Sequence, residues 1–255
     1  MNQEKPKYGW YVKNLIITLL IFGILGISVF LFGLFSEGLL KFILVPIGII
    51  IMVVCLWPGI GMTILNLTLG ESFDVDKEMA AINELQSPQI LDIGCGTGRT
   101  AIKIAKSLKN GGHLTGIDIY SRLAIGGNAL QTVEHNAELE NIAEKTTFQY
   151  GEATKIPFES EKFDIVNMSS VLHEIHNPDD QQKVLNEIYR VLKSNGVFYI
   201  SEWNRNSWQL IAMMGIFSFV FKPKEYWLKL LESHGFAIEN YNLKQGFGIF
   251  SVRKN

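Results

Sequence analysis

Cysteine is nearly absent from this chain: its 255 residues include two, Cys55 and Cys95. So few exclude a disulfide framework. Neither stands at ligand spacing from a histidine or a second thiol, so no metal centre is expected. An excess of charge is missing as well. Lys and Arg number 23 and Asp and Glu 25, and the net charge of −2 leaves no basic field to attract nucleic acid. Internal repeats and low-complexity tracts are lacking, which argues against a repeat architecture.

Charge also disappears locally. From Leu15 to Phe35 there is no Asp, Glu, Lys or Arg, and at ~1.5 Å per residue this run is roughly 30 Å long, the thickness of a hydrocarbon core. A second apolar run, Phe42 to Trp57, follows the short linker "SEG". Lys41 at its start can snorkel, and Pro46 inside it is tolerated in a membrane helix. Extended from Leu39 to Met62, it too is long enough to span. The first run exceeds the ~7–15 apolar residues of a signal peptide, and no small-residue cleavage site follows it. We therefore expect a retained anchor over 1–61, with transmembrane helices at about 14–35 and 39–61, in contact with the lipid bilayer. Lys5, Lys7 and Lys13 precede the first span, whereas the tip carries Glu37 and Lys41. That asymmetry puts the N-terminus in the cytoplasm, and two spans return residues 62–255 to the same side. Tyr8, Trp10, Tyr11 and Trp57 are expected in an interfacial aromatic belt.

Beyond Met62 the composition becomes that of a water-soluble domain. "DVDKEMAAINELQ" (74–86) predicts a helix stopped by Pro88. Strand-like and helix-like segments then alternate. Strands are expected over 89–94, 111–119, 146–153, 163–170 and 196–203, and helices over 98–109, 124–142 (delayed by Gly126 and Gly127) and 181–193. The alternation predicts a parallel sheet with helices on both faces. A helix over 224–235 and two strands separated by "KQG" break the rhythm and predict a closing antiparallel hairpin.

"ILDIGCGTGRT" (90–100) places three glycines directly after the first strand of this domain. Their spacing, GxGxG over Gly94, Gly96 and Gly98, departs from the GxGxxG of dinucleotide-binding folds, which speaks against a nicotinamide oxidoreductase. Glycines let the backbone turn tightly and let a flat ligand come close. Asp118 ends the next strand, where a carboxylate can accept both hydroxyls of a ribose.

At these residues the chain resembles the class I S-adenosylmethionine-dependent methyltransferases. "LDIGCGTG" looks like that family's first motif and "GIDI" like its second. "GEATKIPFESEKFDIVNMSSVLHEI" is similar to the region that closes over adenine and leads to the substrate, and "NEIYRVLKSNGVFYISE" to the stretch entering the fifth strand. The resemblance covers roughly 72–255. It implies a doubly wound α/β fold with a seven-stranded sheet, mostly parallel, whose terminal hairpin inserts the last strand antiparallel. It implies S-adenosyl-L-methionine as cofactor and S-adenosyl-L-homocysteine as product. Gly94, Cys95, Gly96 and Gly98 would line its methionine and ribose portion. Asp92 would lie near its amino group, Asp118 with Ile119 at the ribose, and Glu152 with Ala153 at the adenine. The family often has aspartate where Glu152 stands.

Methyl transfer is an in-line displacement that needs alignment and exclusion of water, and a hydroxyl acceptor also needs a base. "VLHEI" puts His173 and Glu174 just past the fourth strand, and the string resembles the "HD" site of small-molecule O-methyltransferases, where the histidine is the base. Glu202 and Trp203 face the same cleft, with Glu202 read as a polar wall. "SWQLIAMMGIFSFVFKPK" (207–224) is uncharged from Ser207 to Phe221 and is expected as a membrane-facing lid. The expectation is a membrane-anchored methyltransferase acting on a lipophilic small molecule, at a hydroxyl oxygen. A thiol, a phospholipid amine or a quinone carbon stays open as acceptor, as does a non-catalytic cofactor-binding protein.

Overall fold

Glycine sets the seam between the two apolar helices. The computed structural model describes residues 4–68, 74–121 and 125–255. Helix α1 (Lys13–Phe35) turns at Ser36–Glu37 into α2 (Gly38–Ile51). This second helix widens into a π turn over Met52–Leu56 and continues as α3 (Trp57–Thr68). A Cβ on Gly23 would lie 2.7 Å from Leu56 Cα, one on Gly26 2.8 Å from Ile51 Cγ2, and one on Gly33 2.9 Å from the Leu44 side chain. Gly48 reciprocates, 2.6 Å from Phe30 N. Small residues let two backbones meet where the surroundings are as apolar as the helices and hydrophobic burial gives little drive. Lys13–Phe35 and the 31-residue run Gly38–Thr68 are each long and apolar enough to cross a membrane. The second run is longer than expected, and the expected boundary at 61/62 falls inside it.

The helix expected over 74–86 is broken into α4 (Val75–Glu78) and α5 (Ala81–Glu84). Met79, between them, leaves the helical conformation at φ −125° and is buried. The Ala81 N–H donates to the Tyr199 hydroxyl, 3.2 Å away, so this donor is satisfied outside a helical ladder.

Alternation then follows as the pattern predicts: β1 (Gln89–Ile93), α6 (Arg99–Ser107), β2 (His113–Asp118), α7 (Leu130–Leu139), β3 (Thr146–Tyr150), β4 (Phe163–Ser169), α8 (Pro178–Val191) and β5 (Leu192–Trp203). After them come α9 (Trp208–Met214), α10 (Lys224–Glu232), β6 (Phe236–Lys244) and β7 (Phe247–Lys254). The first helix after β2 is shorter than expected. Residue 124, its expected start, lies outside the described residues, as do 72 and 73 at the edge of the resembling region.

One seven-stranded sheet runs β3-β2-β1-β4-β5-β7-β6. The first five strands are parallel, and β7 is antiparallel to both its neighbours. Successive residues of a strand point to opposite faces, so β1 serves two cores. Leu91 and Ile93 join Val184, Ile188 and Trp227 on one side, whereas Ile90 joins Ile102, Ile104 and Val133 on the other. Strand order reverses between β1 and β4, and a crevice opens beyond their carboxyl ends.

Segment 207–224 forms α9 followed by a 3₁₀ turn over Gly215–Val220. It lies against α3, where the Trp57 indole donates to Ala212 O at 2.6 Å and Gly61 touches Met213 closely enough that a Cβ would fall 1.8 Å from its carbonyl oxygen. Trp208, Ile216, Phe219 and Val220 are exposed on its outer side.

Candidate cofactor and acceptor site

The crevice at the switch point is built first by the glycine turn. Gly94, Gly96 and Gly98 all have positive φ, at 72°, 54° and 89°. A Cβ on Gly94 would lie 2.2 Å from Val171 Cγ2, and one on Gly98 2.8 Å from Val133 Cγ2. Both the conformation and the space therefore require glycine. The Gly94 and Cys95 amides donate to Ile117 O, which ties the turn to the end of β2. Gly98 precedes α6 and begins it.

Asp118 faces the turn. Its carboxylate accepts from Gly96 N (2.9 Å), Tyr120 N (2.5 Å) and Asn128 Nδ2 (3.2 Å). Asp92, side by side with Asn167 in the β1–β4 register, accepts from that residue's amide at 2.6 Å. Burial, opposed by this hydrogen bond and aided by the charge of Asp118, pushes Asp92 up to about 7. Cys95 is buried beside Tyr120, and burial pushes its thiol well above the ordinary range, so it is a lining group and not a nucleophile.

Asp92, Gly94, Cys95, Thr97, Ser169 and Ser170 stand on the walls of the cleft. Tyr8 and Tyr11 stand on the same walls. This corrects the expectation that they belong to a membrane belt: the segment leading into α1 lies across the glycine turn. Trp57 is the belt candidate that remains at the outer surface, 47% exposed.

These residues fit S-adenosylmethionine. Gly94 brings bare backbone to the cleft wall beside the Asp92 carboxylate, and Asp118, which is not on that wall, braces the turn through Gly96 N. Asn128 is buried, and its Oδ1 has no hydrogen-bond partner. A buried acceptor left unpaired costs ~1–3 kcal/mol, and this one lies beside Asp118, off the cleft wall. Sequence reasoning did not foresee this partner of Asp118, because an asparagine ten residues past a strand end has no local signature. Ile119, next to Asp118, is 56% exposed. Glu152 is exposed and accepts from the Tyr150 hydroxyl at 3.0 Å, and neither it nor Ala153 is on the cleft wall.

Past β4 the chain makes a 3₁₀ turn over Leu172–Glu174. His173 lies here, at the edge of the crevice and not on the wall just described. Its Nδ1 is 2.7 Å from Glu202 Oε2, and its Nε2 is 3.4 Å from Glu174 Oε1. Glu202, at the end of β5, is fully buried and its other oxygen accepts from the amides of Val171 (3.1 Å) and Leu172 (2.7 Å). Glu202 is therefore more than a polar wall: it orients His173 and the turn that carries it. Burial alone would lower the His173 pKa, but the Glu202 charge and the hydrogen bonds to both glutamates outweigh it and raise it to about 9. The ring meets Phe221 edge-on at 5.3 Å, and Phe221 contacts Trp203. A carboxylate–histidine pair thus sits between the crevice and the apolar segment that rests on α3.

Residues 86–234 match the family model described as a methyltransferase domain. The chain belongs to the S-adenosylmethionine-dependent methyltransferases. It is 31% identical to a demethylmenaquinone methyltransferase of Lactiplantibacillus plantarum over 46% of this chain and 46% of that protein. It is 35% identical to a sterol 24-C-methyltransferase of Gibberella zeae over 45% of this chain and 27% of that one. The chain thus spans less than half the length of these relatives. A methyltransferase structure from Aquifex aeolicus aligns with a TM-score of 0.59 and 19% identity, over 76% of this chain and 97% of that one, and shares its fold. The methyltransferase is accordingly an enzyme whose cofactor is S-adenosylmethionine.

Proposed function

We propose that this methyltransferase is held in a membrane by its helical hairpin and methylates a lipophilic small molecule, at a hydroxyl oxygen. The observation that carries this reading is the position of the His173–Glu202 pair. It lies beside Phe221 at the end of an apolar segment that packs on the second long helix and exposes Trp208, Phe219 and Val220. An acceptor dissolved in the bilayer would meet this segment before any other part of the domain. The N-terminus and the domain would share the cytoplasmic side, as the lysines before the first span require.

The cofactor supplies an electrophilic methyl group on a sulfonium. The chain's part is to hold the reactants, exclude water and move a proton. Gly94, Gly96, Gly98, Asp92 and Asp118 hold the cofactor, and Phe221 with Trp203 keeps the acceptor end dry. His173 Nε2, the nitrogen not held by Glu202, takes the acceptor proton. Glu202 fixes the ring and stabilises the imidazolium formed, while Glu174 lies beside the same nitrogen. With a pKa near 9, about 1% of His173 is neutral at pH 7, so the rate should climb about tenfold per pH unit toward pH 9.

A second reading is methylation at a ring carbon of a quinol. The named relatives include a demethylmenaquinone methyltransferase, and removing a phenolic proton also activates the ring carbon beside it. The test is to incubate the full chain in bilayers with methyl-labelled cofactor and a lipid extract. The labelled product is then isolated and its new bond identified by NMR. Label confined to water-soluble products refutes the lipophilic acceptor, and a C-methyl product selects the second reading.

A further inference from the structure

The segment leading into the apolar hairpin is tied down at both ends. Toward the domain, Lys7 N donates to Asn136 Oδ1 (2.8 Å) and Asn136 Nδ2 returns to Lys7 O (3.0 Å). Thr97, inside the glycine turn, donates through its hydroxyl to Tyr8 O at 2.7 Å, and Arg99 donates to Gly9 O at 2.9 Å. Gly126 N donates to Trp10 O at 3.3 Å. Toward the anchor, Asn66 of α3 accepts from Tyr11 N at 2.8 Å and donates to Tyr11 O at 3.3 Å. Gly9 has φ +65°, and a Cβ there would lie 2.3 Å from Gly126 O, so the backbone reaches the domain only because this residue is glycine. Between the ties, Tyr8 and Tyr11 face the cleft that Asp92 and Gly94 line. The Tyr11 phenol is pushed up to about 12, by burial first and then by the charges of Asp118, Asp92 and Glu174 against that of Arg99. It therefore lies among the site's own ionised groups.

We propose that the strap Tyr8–Tyr11 is a wall of the cofactor site, so that seating of the membrane anchor against the domain and cofactor binding are one coupled equilibrium. The anchor is then part of the active site as well as a tether. Coupling is reciprocal: whatever factor the seated strap adds to cofactor affinity, bound cofactor adds to the seating of the strap.

The experiment uses the full chain in lipid nanodiscs with S-adenosylhomocysteine as ligand. Hydrogen exchange at the amides of Tyr8 to Val12 is followed with and without saturating ligand, and at least tenfold slowing is expected. Calorimetry on Gly9→Val, which drives the strap off Gly126, should show affinity at least tenfold weaker, ~1.4 kcal/mol. Gly38→Ala is the control: that glycine also has positive φ, but open space surrounds it, and affinity should be unchanged. Ligand that binds without protecting the strap, together with full affinity in Gly9→Val, overturns the proposal and leaves the cofactor assignment standing. Wild-type chain that binds no S-adenosylhomocysteine overturns both.

Discussion

Replacing Glu202 by glutamine separates the pair's electrostatics from its shape. The side chain is fully buried, and glutamine can still accept from the Val171 and Leu172 amides through its carbonyl oxygen. What it loses is the negative charge 2.7 Å from His173 Nδ1. In the native protein that charge, with the two hydrogen bonds, overcomes burial and lifts the imidazole from 6.5 to about 9. Without it, only the Glu174 hydrogen bond and charge still oppose burial, and the His173 pKa should fall well below its native value. The lift corresponds to roughly 3 kcal/mol. Because the folded-state pKa is raised, this stabilisation is complete below pH ~6.5 and disappears as pH rises through about 9. Glu202→Gln should therefore cost most stability at pH 6 and little at pH 10. The assay is NMR titration of the His173 ring protons in the full chain in detergent, which needs no knowledge of the acceptor, alongside thermal unfolding at the two pH values. A His173 pKa unchanged to within half a unit would refute the reasoning. So would a stability loss that does not shrink with pH.

The buried Asp92 is close to half protonated at neutrality, and a cationic ligand should drive its proton off. Calorimetric binding of S-adenosylmethionine near pH 7 in buffers of different ionisation enthalpy should show release of about half a proton, fading by pH 9; buffer-independent heats would contradict this. Asp118→Ala removes three hydrogen bonds, one of them to the glycine turn, as well as the expected ribose acceptor, so affinity should weaken at least tenfold, ~1.4 kcal/mol or more. Unchanged affinity removes Asp118 from its role. Gly61→Ala places a methyl group 1.8 Å from the Met213 carbonyl oxygen, where neither backbone can yield cheaply. Stability should drop by about 1–3 kcal/mol, seen as a lower midpoint of thermal unfolding in detergent, and an unaltered midpoint would deny the close contact of α3 with α9.

Much of the fold was legible because its signals are local. An uncharged run of the right length is a helix whatever packs on it, and the first one emerges as Lys13–Phe35. Glycine at 94, 96 and 98 encodes its own backbone, and Asp118 at a strand end follows from period and position. The helix over 74–86 was misjudged because its propensity is weak and distant partners decide: Met79 goes to the core and Ala81 N to Tyr199. Tyr8 and Tyr11 were misplaced because aromatics ahead of an apolar run look the same whether they meet headgroups or a cleft.

By itself, then, the amino-acid order determined what depends on near neighbours: a sheet of alternating units, two bilayer-length helices and a turn shaped for a nucleoside. Tertiary structure alone decided what depends on groups far apart in the chain. Glu202 meets His173 from a different strand, Thr97 of the turn grips Tyr8, and Asn66 of the second long helix holds Tyr11. The reason is physical. A buried charge or an unpaired backbone amide must find a partner wherever the fold supplies one, and no spacing rule along the sequence says where that will be.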